Sequence, residues 1–394
     1  MNLSEKIFSL AKKYENYTAQ NLSKLIQLKS LSSGEKEVAD LINKMMDEAG
    51  FDETRIDGLG NIIGKIGNGK KIIAIDGHID TVDVGNIDNW NFDPFSGEIK
   101  DGYIHGRGSV DQTGGPAAFI TAGKILKEIG IDNDVTIYFI GSVMEEDCDG
   151  LCWKYILEED KIKPDCVIIT EPTNLNIYRG HRGRMEIEVS FYGLSAHGSA
   201  PERGKNAIYM ASKAALEIEK LNDRLIKDDF LGKGSVTISE IVSSSPSLCA
   251  VSDFCKIHLD RRLTKGEDKK LALDQIEEIV KGMNAKVQLL NYKEKAYTGL
   301  EYGMEKYYPT WVLEENHPVI QTGVKAYEKL FGGNPVIDKW TFSTNGVVIN
   351  GVYNIPVIGF GPGNEVMAHA PNEKVPVEHL VNASAFYAYF CSIY

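Results

Sequence analysis

Apolar side chains at Val38, Leu41, Ile42, Met45 and Met46 recur with the spacing of one helix face, between Ser32-Ser33-Gly34-Glu35 and Gly50. Ser-x-x-Glu is a capping-box pattern and a glycine a common stop, so the spacing predicts an amphipathic helix with both ends marked. Short β-branched runs follow at residues 72–75, 135–140, 166–169 and 356–360, with helical patterns between several of them. Runs this short and uniformly apolar read as strands buried on both faces, which predicts a helix-covered α/β sheet.

The stretch 178–292 has a different texture. Met185, Ile187, Val189 and Phe191 alternate with Glu186, Glu188, Ser190 and Tyr192, the pattern of a strand with one wet face. A helical pattern comes next (Ala207, Ile208, Ala211, Ala215, Ile218), then strands at 235–242 and 253–263, a helix at 271–280 and a strand at 286–290. The order β-α-β-β-α-β predicts a ferredoxin-like unit. The expected organisation is therefore a larger α/β domain built from residues 1–177 and 294–394, with a smaller α+β domain, 178–293, inserted into it.

With 43% hydrophobic and 25% charged residues, the 394-residue chain has the composition of a globular protein and not of a disordered one. A net charge of −13 and a pI near 5.2 count against nucleic-acid or anionic-membrane partners. No apolar stretch approaches the ~18 residues of a membrane span, and the chain starts on a charged amphipathic segment, so a cytoplasmic location is expected. The six cysteines form no C-x-x-C pair, which predicts free thiols and neither a disulfide framework nor a thiolate zinc site.

The chemistry-bearing residues cluster where strands end. The run at 72–75 leads into His78-Ile79-Asp80, where Asp80 is placed to accept the second ring N–H of His78 and fix its tautomer. Alone, such a pair is as readily a product of core packing. Asp111 follows in the glycine-rich segment 106–116, which matches no phosphate-loop pattern and whose central acid would oppose an anion. Glu145-Glu146-Asp147 comes directly after the run at 135–140, and Thr170-Glu171-Pro172 after that at 166–169. His369 follows the last strand, in Ala368-His369-Ala370-Pro371-Asn372-Glu373. Each is weak alone, and a solvated acidic turn explains any one of the acids. Together they share one address: three lie at the carboxyl edge of the expected sheet, where open α/β sheets place ligands, Asp111 lies on a glycine loop of the same domain and His369 follows the last strand.

Two imidazoles and several carboxylates suit zinc, cobalt or manganese. Two ions account for their number: His78, Asp111 and Glu171 on one, Asp111, Glu146 and His369 on the other. Three carboxylates then leave one positive charge, balanced by a bridging hydroxide that serves as nucleophile.

These motifs, in this order and with an inserted domain, resemble the zinc-dependent aminoacylase family, which includes acetylornithine deacetylase, succinyl-diaminopimelate desuccinylase and the glutamate carboxypeptidases. The resemblance covers essentially the whole chain. It implies a mixed-sheet dinuclear-metal hydrolase domain, with the insert acting as lid and homodimerisation domain. It further implies that Asp111 bridges two zinc ions, that the Asp111–Gln112 bond is cis, and that Glu145 is the general base. The segment 193–202 resembles the family stretch whose histidine, here His197, binds substrate and oxyanion. Asp260-Arg261-Arg262-Leu263 resembles the D-x-R strand and makes Arg262 the expected partner of a substrate carboxylate, with Arg261 on the opposite face. Two segments depart from the family pattern. Ser245-Pro246-Ser247-Leu248-Cys249-Ala250 replaces Asn-Pro, and Thr344-Asn345 replaces Thr-Asp. Both lie where substrate contacts are expected, so Ser247 and Asn345 join the candidates. These variants are similar to the branch named for its link to selenium metabolism.

Histidines 105, 181, 258, 317 and 379 match no ligand position. The basic patch Arg179-Gly180-His181-Arg182-Gly183-Arg184, near the expected junction, reads equally as a hinge or as an attractor of an anionic substrate. The expected function is hydrolysis of an amide in a small carboxylate-bearing molecule. An aminopeptidase or dipeptidase is the nearest rival, and a silent binding protein on the same fold the alternative from another class. A glutamate at Glu171 leans toward the deacylases and carboxypeptidases of the resembled family, and an intact ligand set with Glu145 against a silent protein.

Overall fold

Strands Val135–Ser142, Lys71–His78, Cys166–Ile169 and Val357–Gly359 lie side by side, mutually parallel, at the centre of an eight-stranded sheet. They are the four apolar runs, and nearly every residue in them is buried. A computed structural model gives this arrangement and describes residues 1–132 and 134–394. The sheet is mixed: Ile62–Ile66 runs antiparallel to Val135–Ser142, and Glu53–Ile56 extends that edge. The opposite edge carries the short strands Ile177–Tyr178 and Ile337–Asp338. Helices Gly114–Ile129, Lys36–Ala49, Val377–Ile393 and Pro318–Phe331 supply the apolar cover. The first of these starts tight against the sheet. A Cβ at Gly115 would fall 2.1 Å from Thr170 Oγ1 and one at Gly77 2.8 Å from Pro116 Cδ, so both glycines are required by close approach.

The capping-box expectation is corrected. The helix Lys36–Ala49 does end at Gly50 in the left-handed conformation, but Glu35 is its N-cap and no side chain caps it. Ser32 and Glu35 turn toward the carboxyl edge of the sheet instead.

A second sheet runs in the order Ser235–Ser244, Phe254–Leu263, Gly183–Tyr192, Ala285–Leu289, all antiparallel, with helices Ala207–Leu221 and Lys269–Ile279 on one face. This is the ferredoxin-like order. It has its own apolar core, in which Met185, Ile187, Val189 and Phe191 meet Cys255, Ile257 and Leu259. Tyr307–Tyr308, beyond residue 293, also pairs with Gly183–Tyr192. Among the described residues, all six cysteines are free, five of them buried, and no helix is long and apolar enough to cross a membrane.

The basic patch separates into distinct contacts. Arg179 stacks 3.7 Å over Phe230, and Arg182 donates to the Lys233 carbonyl at 2.8 Å. His181, fully buried, donates from Nδ1 to the Arg182 carbonyl at 2.9 Å. Its Nε2 then accepts from Trp311 Nε1 at 2.8 Å and from the Thr344 N–H at 3.1 Å, joining three segments at the passage between the sheets. Burial, with the Arg262 charge adding to it, lowers the pKa of this imidazole to about 4. A protonated Nε2 would point at N–H donors, so the folded state binds His181 neutral. The unfolded chain takes up its proton near the ordinary 6.5. The stability this difference represents is complete above that pH and lost as the pH falls toward 4, ~3 kcal/mol in all. We expect ¹⁵N NMR to find His181 as the neutral Nδ1–H tautomer at pH 5.5; an imidazolium there would contradict the assignment.

Candidate active site

Every strand of the central parallel set ends at the same edge, and each delivers part of one cluster. His78 closes Lys71–His78, and its Nδ1 donates to the backbone carbonyl of Asp80 at 2.8 Å, which leaves Nε2 facing the cluster. The expected acceptor, the Asp80 carboxylate, stands 3.6 Å from that nitrogen. The chain bends after Ile79 so that the carbonyl takes the proton, and the carboxylate is freed for the neighbouring turn. There it accepts the N–H of Glu145 at 3.2 Å, the N–H of Glu146 at 3.1 Å and the Ser32 hydroxyl at 2.6 Å.

Adjacent residues in extended chain point apart, so aiming Glu145 and Glu146 at one place requires a special turn. Met144 provides it with φ of +59°, and its N–H donates at 3.1 Å to the fully buried Glu35 carboxylate. Three successive N–H groups are thus held by two carboxylates, an anion-binding nest whose anions belong to the protein. Neither Glu35 nor Ser32 was expected here, because Ser-x-x-Glu before an apolar helix carries the same signature in either use.

Asp111 is held by Glu373. The Glu373 Oε1 accepts the N–H groups of Val110 and Asp111 at 2.7 and 3.0 Å, and Oε2 accepts from Gly108 N at 3.1 Å and Arg107 Nη1 at 2.7 Å. The Asp111–Gln112 bond is cis. The two oxygens of Asp111 divide between the imidazoles, Oδ1 at 3.0 Å from His78 Nε2 and Oδ2 at 3.3 Å from His369 Nε2. Glu171 Oε1 lies 3.4 Å from His78 Nε2 and Glu146 Oε2 3.0 Å from His369 Nε2. Glu145 stands further off, with Oε2 at 3.9 Å from His78 Nε2.

The donor set fits divalent cations. Glu145 Oε1, Glu146 Oε1 and Glu171 Oε2 are buried without a hydrogen-bond partner, a costly arrangement unless something electropositive faces them. Ligand atoms of His78, Asp111 and Glu146, and likewise of His78, Glu145 and Glu171, lie within 4.8 Å of one another. Burial pushes the Glu145 carboxyl well above the usual carboxylate range and those of Glu146 and Glu171 up to about 7. Asp111, despite its burial, is held low by the two imidazoles.

Beside the cluster opens a cavity of about 280 Å³, reached by Asp111, Glu145, Glu146, Glu171 and His369. Its second wall comes from the other sheet. Arg184 and Arg262 are directly paired across adjacent strands and both line the cavity. Arg262 is held by Asp260 through Nε and Nη2 at 2.8 and 2.9 Å, while Arg184 holds Asp149 at 3.1 and 3.2 Å. Arg261 points the other way into the core, onto Glu267 at 2.6 Å, as period two requires. Arg184 thus carries the cavity-facing part of the basic patch.

Three candidates lie elsewhere. Asn345 is buried, its amide donating to Asp76 Oδ2 at 2.9 Å and Ser142 Oγ at 3.1 Å and accepting from Gly150 N at 2.8 Å. Its hydrogen-bonding capacity is spent on holding loops together, and it does not line the cavity. Ser247 and His197 are exposed and outside the cavity of their own chain, close together through the bridge between His197 and Ala250. Glu373 was visible only as part of a motif. Replacing it removes charge from a carboxylate that satisfies four donors and leaves Arg107 buried and unpaired. We expect Glu373→Gln to cost about 3–5 kcal/mol. Denaturant unfolding should show this together with weakened uptake of divalent metal; unchanged stability would mean that the loop is held by other contacts.

Comparison with known proteins agrees with this geometry. The family described as Peptidase family M20/M25/M40 matches residues 74–392. The uncharacterized protein YgeY of Escherichia coli (strain K12) is 50% identical over 384 residues, 97% of this chain and 95% of that protein. A probable succinyl-diaminopimelate desuccinylase of Staphylococcus aureus (strain Mu50 / ATCC 700699) is 33% identical over 199 residues, 49% of each chain. Among solved structures, the YXEP protein of Bacillus subtilis, described as a dinuclear metal binding peptidase of the M20 family, shares the fold with a TM-score of 0.71 at 16% identity, covering 97% of this chain and 98% of that one. The chain belongs to peptidase family M20/M25/M40, and with that family it is a hydrolase of amide or peptide bonds.

Proposed function

We propose that this protein is a dinuclear metal hydrolase that cleaves an amide in a small molecule bearing a free carboxylate: an N-acyl amino acid, a dipeptide or a ureido acid. The observation that carries this reading is the split of Asp111, one oxygen toward each imidazole, amid carboxylate oxygens that have no partner. His78, Asp111 and Glu171 would hold one ion and Asp111, Glu146 and His369 the other, zinc by preference, with cobalt or manganese able to substitute. Such ions supply Lewis acidity and lower the pKa of water.

The chain does the rest. Glu145, which comes no nearer than 3.9 Å to either imidazole, takes a proton from the attacking water and returns it to the leaving nitrogen. The Asp80 and Glu35 carboxylates keep Glu145 and its neighbour Glu146 aimed at one spot. Arg262, anchored by Asp260 through one edge, offers Nη1 to a substrate carboxylate. Its position opposite Arg184 makes this wall the cationic side of the cavity. His197, exposed in the segment that follows strand Gly183–Tyr192, is supplied to a neighbouring copy, so that a homodimer through the insert completes each site with His197 of the partner subunit as donor to the oxyanion.

The deciding experiment is turnover of N-acyl amino acids, dipeptides and carbamoyl amino acids by metal-reconstituted protein; silence on all of them overturns the function. Glu145→Gln should keep its metal and lose turnover ~100-fold or more. Glu146→Gln should instead weaken metal binding, and elemental analysis separates the two. For His197, mixing His197→Ala with Glu145→Gln chains under subunit exchange should restore activity, since one site of each heterodimer is intact. Exchange without recovery would refute the shared site and leave His197 acting within its own chain or not at all.

A further inference from the structure

Two polar atoms of the cavity are left over once the metal ligands and arginines are accounted for. Glu365 and Ser343 both line it, and Glu365 Oε2 and Ser343 Oγ are buried without a hydrogen-bond partner. They belong to neighbouring segments, since Glu365 lies against Thr341, two residues before Ser343. Glu365 opens the helical turn Glu365–Met367, and Asn364 caps that turn by accepting the Val366 N–H at 3.1 Å. The nearby cation Lys339 lies 3.4 Å from Asp338 Oδ1, and Arg184 and Arg262 are engaged by Asp149 and Asp260. Among the described residues, no cation is bonded to Glu365.

Neither residue touches the metal cluster's own hydrogen bonds, and the neighbour that hydrogen-bonds the Glu365 carboxylate, Thr341, leaves Oε2 and Ser343 Oγ unpartnered. A carboxylate oxygen is only an acceptor, and a serine hydroxyl can donate or accept. Leaving a buried acceptor unpaired is costly, and a ligand that brings an N–H relieves that cost. An apolar group of the same shape would seal the acceptor away from water with nothing facing it.

We propose that Glu365 and Ser343 form a specificity subsite for an N–H-bearing group of the substrate, an amine, amide or ureido nitrogen, distinct from the carboxylate that Arg262 receives. This rests on the reading of the cavity as the substrate site. The substrate is then bipolar: an anionic end against the arginine wall and a hydrogen-bond-donating end against Glu365, with Ser343 donating to a carbonyl where the group has one. An amine and a ureido group share the donor chemistry and differ in charge, so variants of Glu365 tell them apart.

The test uses zinc-loaded full-length protein and matched probes. N-acetylnorvaline, N-acetylornithine and N-acetylcitrulline vary the side-chain end, and N-carbamoylnorvaline against N-acetylnorvaline exchanges NH₂ for CH₃ in the acyl part. Wild type should favour an N–H-bearing member over its apolar counterpart by about tenfold or more in kcat/KM. Glu365→Leu should collapse that ratio. Glu365→Gln, which keeps a carbonyl acceptor, should retain it for a ureido group and lose it for an amine. Should no probe be turned over, the proposed hydrolysis fails by itself. The subsite is then read by calorimetric binding of ornithine, citrulline and norvaline to wild type and Glu365→Leu. Ratios equal in the two proteins, in turnover or in that binding, overturn the subsite.

Discussion

Mutual repulsion among buried carboxylates is the constraint from which the rest of this site follows. Asp111, Glu145, Glu146 and Glu171 converge at one end of one sheet, and each is pressed toward its neighbours by the fold. A protein can hold such a group only by fixing the backbone rigidly or by neutralising the charge, and this chain uses both means. Imidazoles stand between the acids, and the loops that bear them are tied down by acids that never reach the cluster. Asp80 and Glu35 hold the turn at 144–146, and Glu373 holds the loop at 108–111. The supporting groups accept N–H bonds from the backbone, so their negative charge is spread over peptide dipoles and not added in full to the cluster.

What was readable in advance follows from what a pattern can encode. The four central strands are buried on both faces and therefore apolar throughout, so their positions and the chemistry at their carboxyl ends were legible as runs that stop at His78, Glu145, Glu171 and, further on, His369. The ferredoxin-like order of the second sheet was legible for the opposite reason, a clean alternation along 185–192. The strands Glu53–Ile56 and Ile62–Ile66, at one side of the first sheet, were not, being short and preceded by a helix whose pattern dominates.

The residues whose partners the sequence did not reveal share one cause. Ser32, Glu35 and Asn345 have side chains that bond to partners 48 to 269 positions away, a relation no local window contains. Ser32-x-x-Glu35 satisfies the local rule for a helix start, and the tertiary structure claims both side chains for another purpose. Thr344-Asn345 departs from a familiar Thr-Asp, which drew attention to substrate, whereas the amide is what lets one residue donate to Asp76 and accept from Gly150 at once. A carboxylate there could only accept, and it would face the buried Asp76 as a like charge.

The bond between Arg184 and Asp149 ties the second sheet to the segment that follows Val135–Ser142. Both guanidinium groups at the cavity ride on the second sheet, while the cluster acids follow strands of the first. The cationic and acidic walls are therefore contributed by different sheets, and the gap between them is set by contacts between the sheets and not within either one. The Arg184–Asp149 pair acts as a spacer for that gap, so a change at this contact alters the length of molecule that can reach both walls without touching either wall's chemistry.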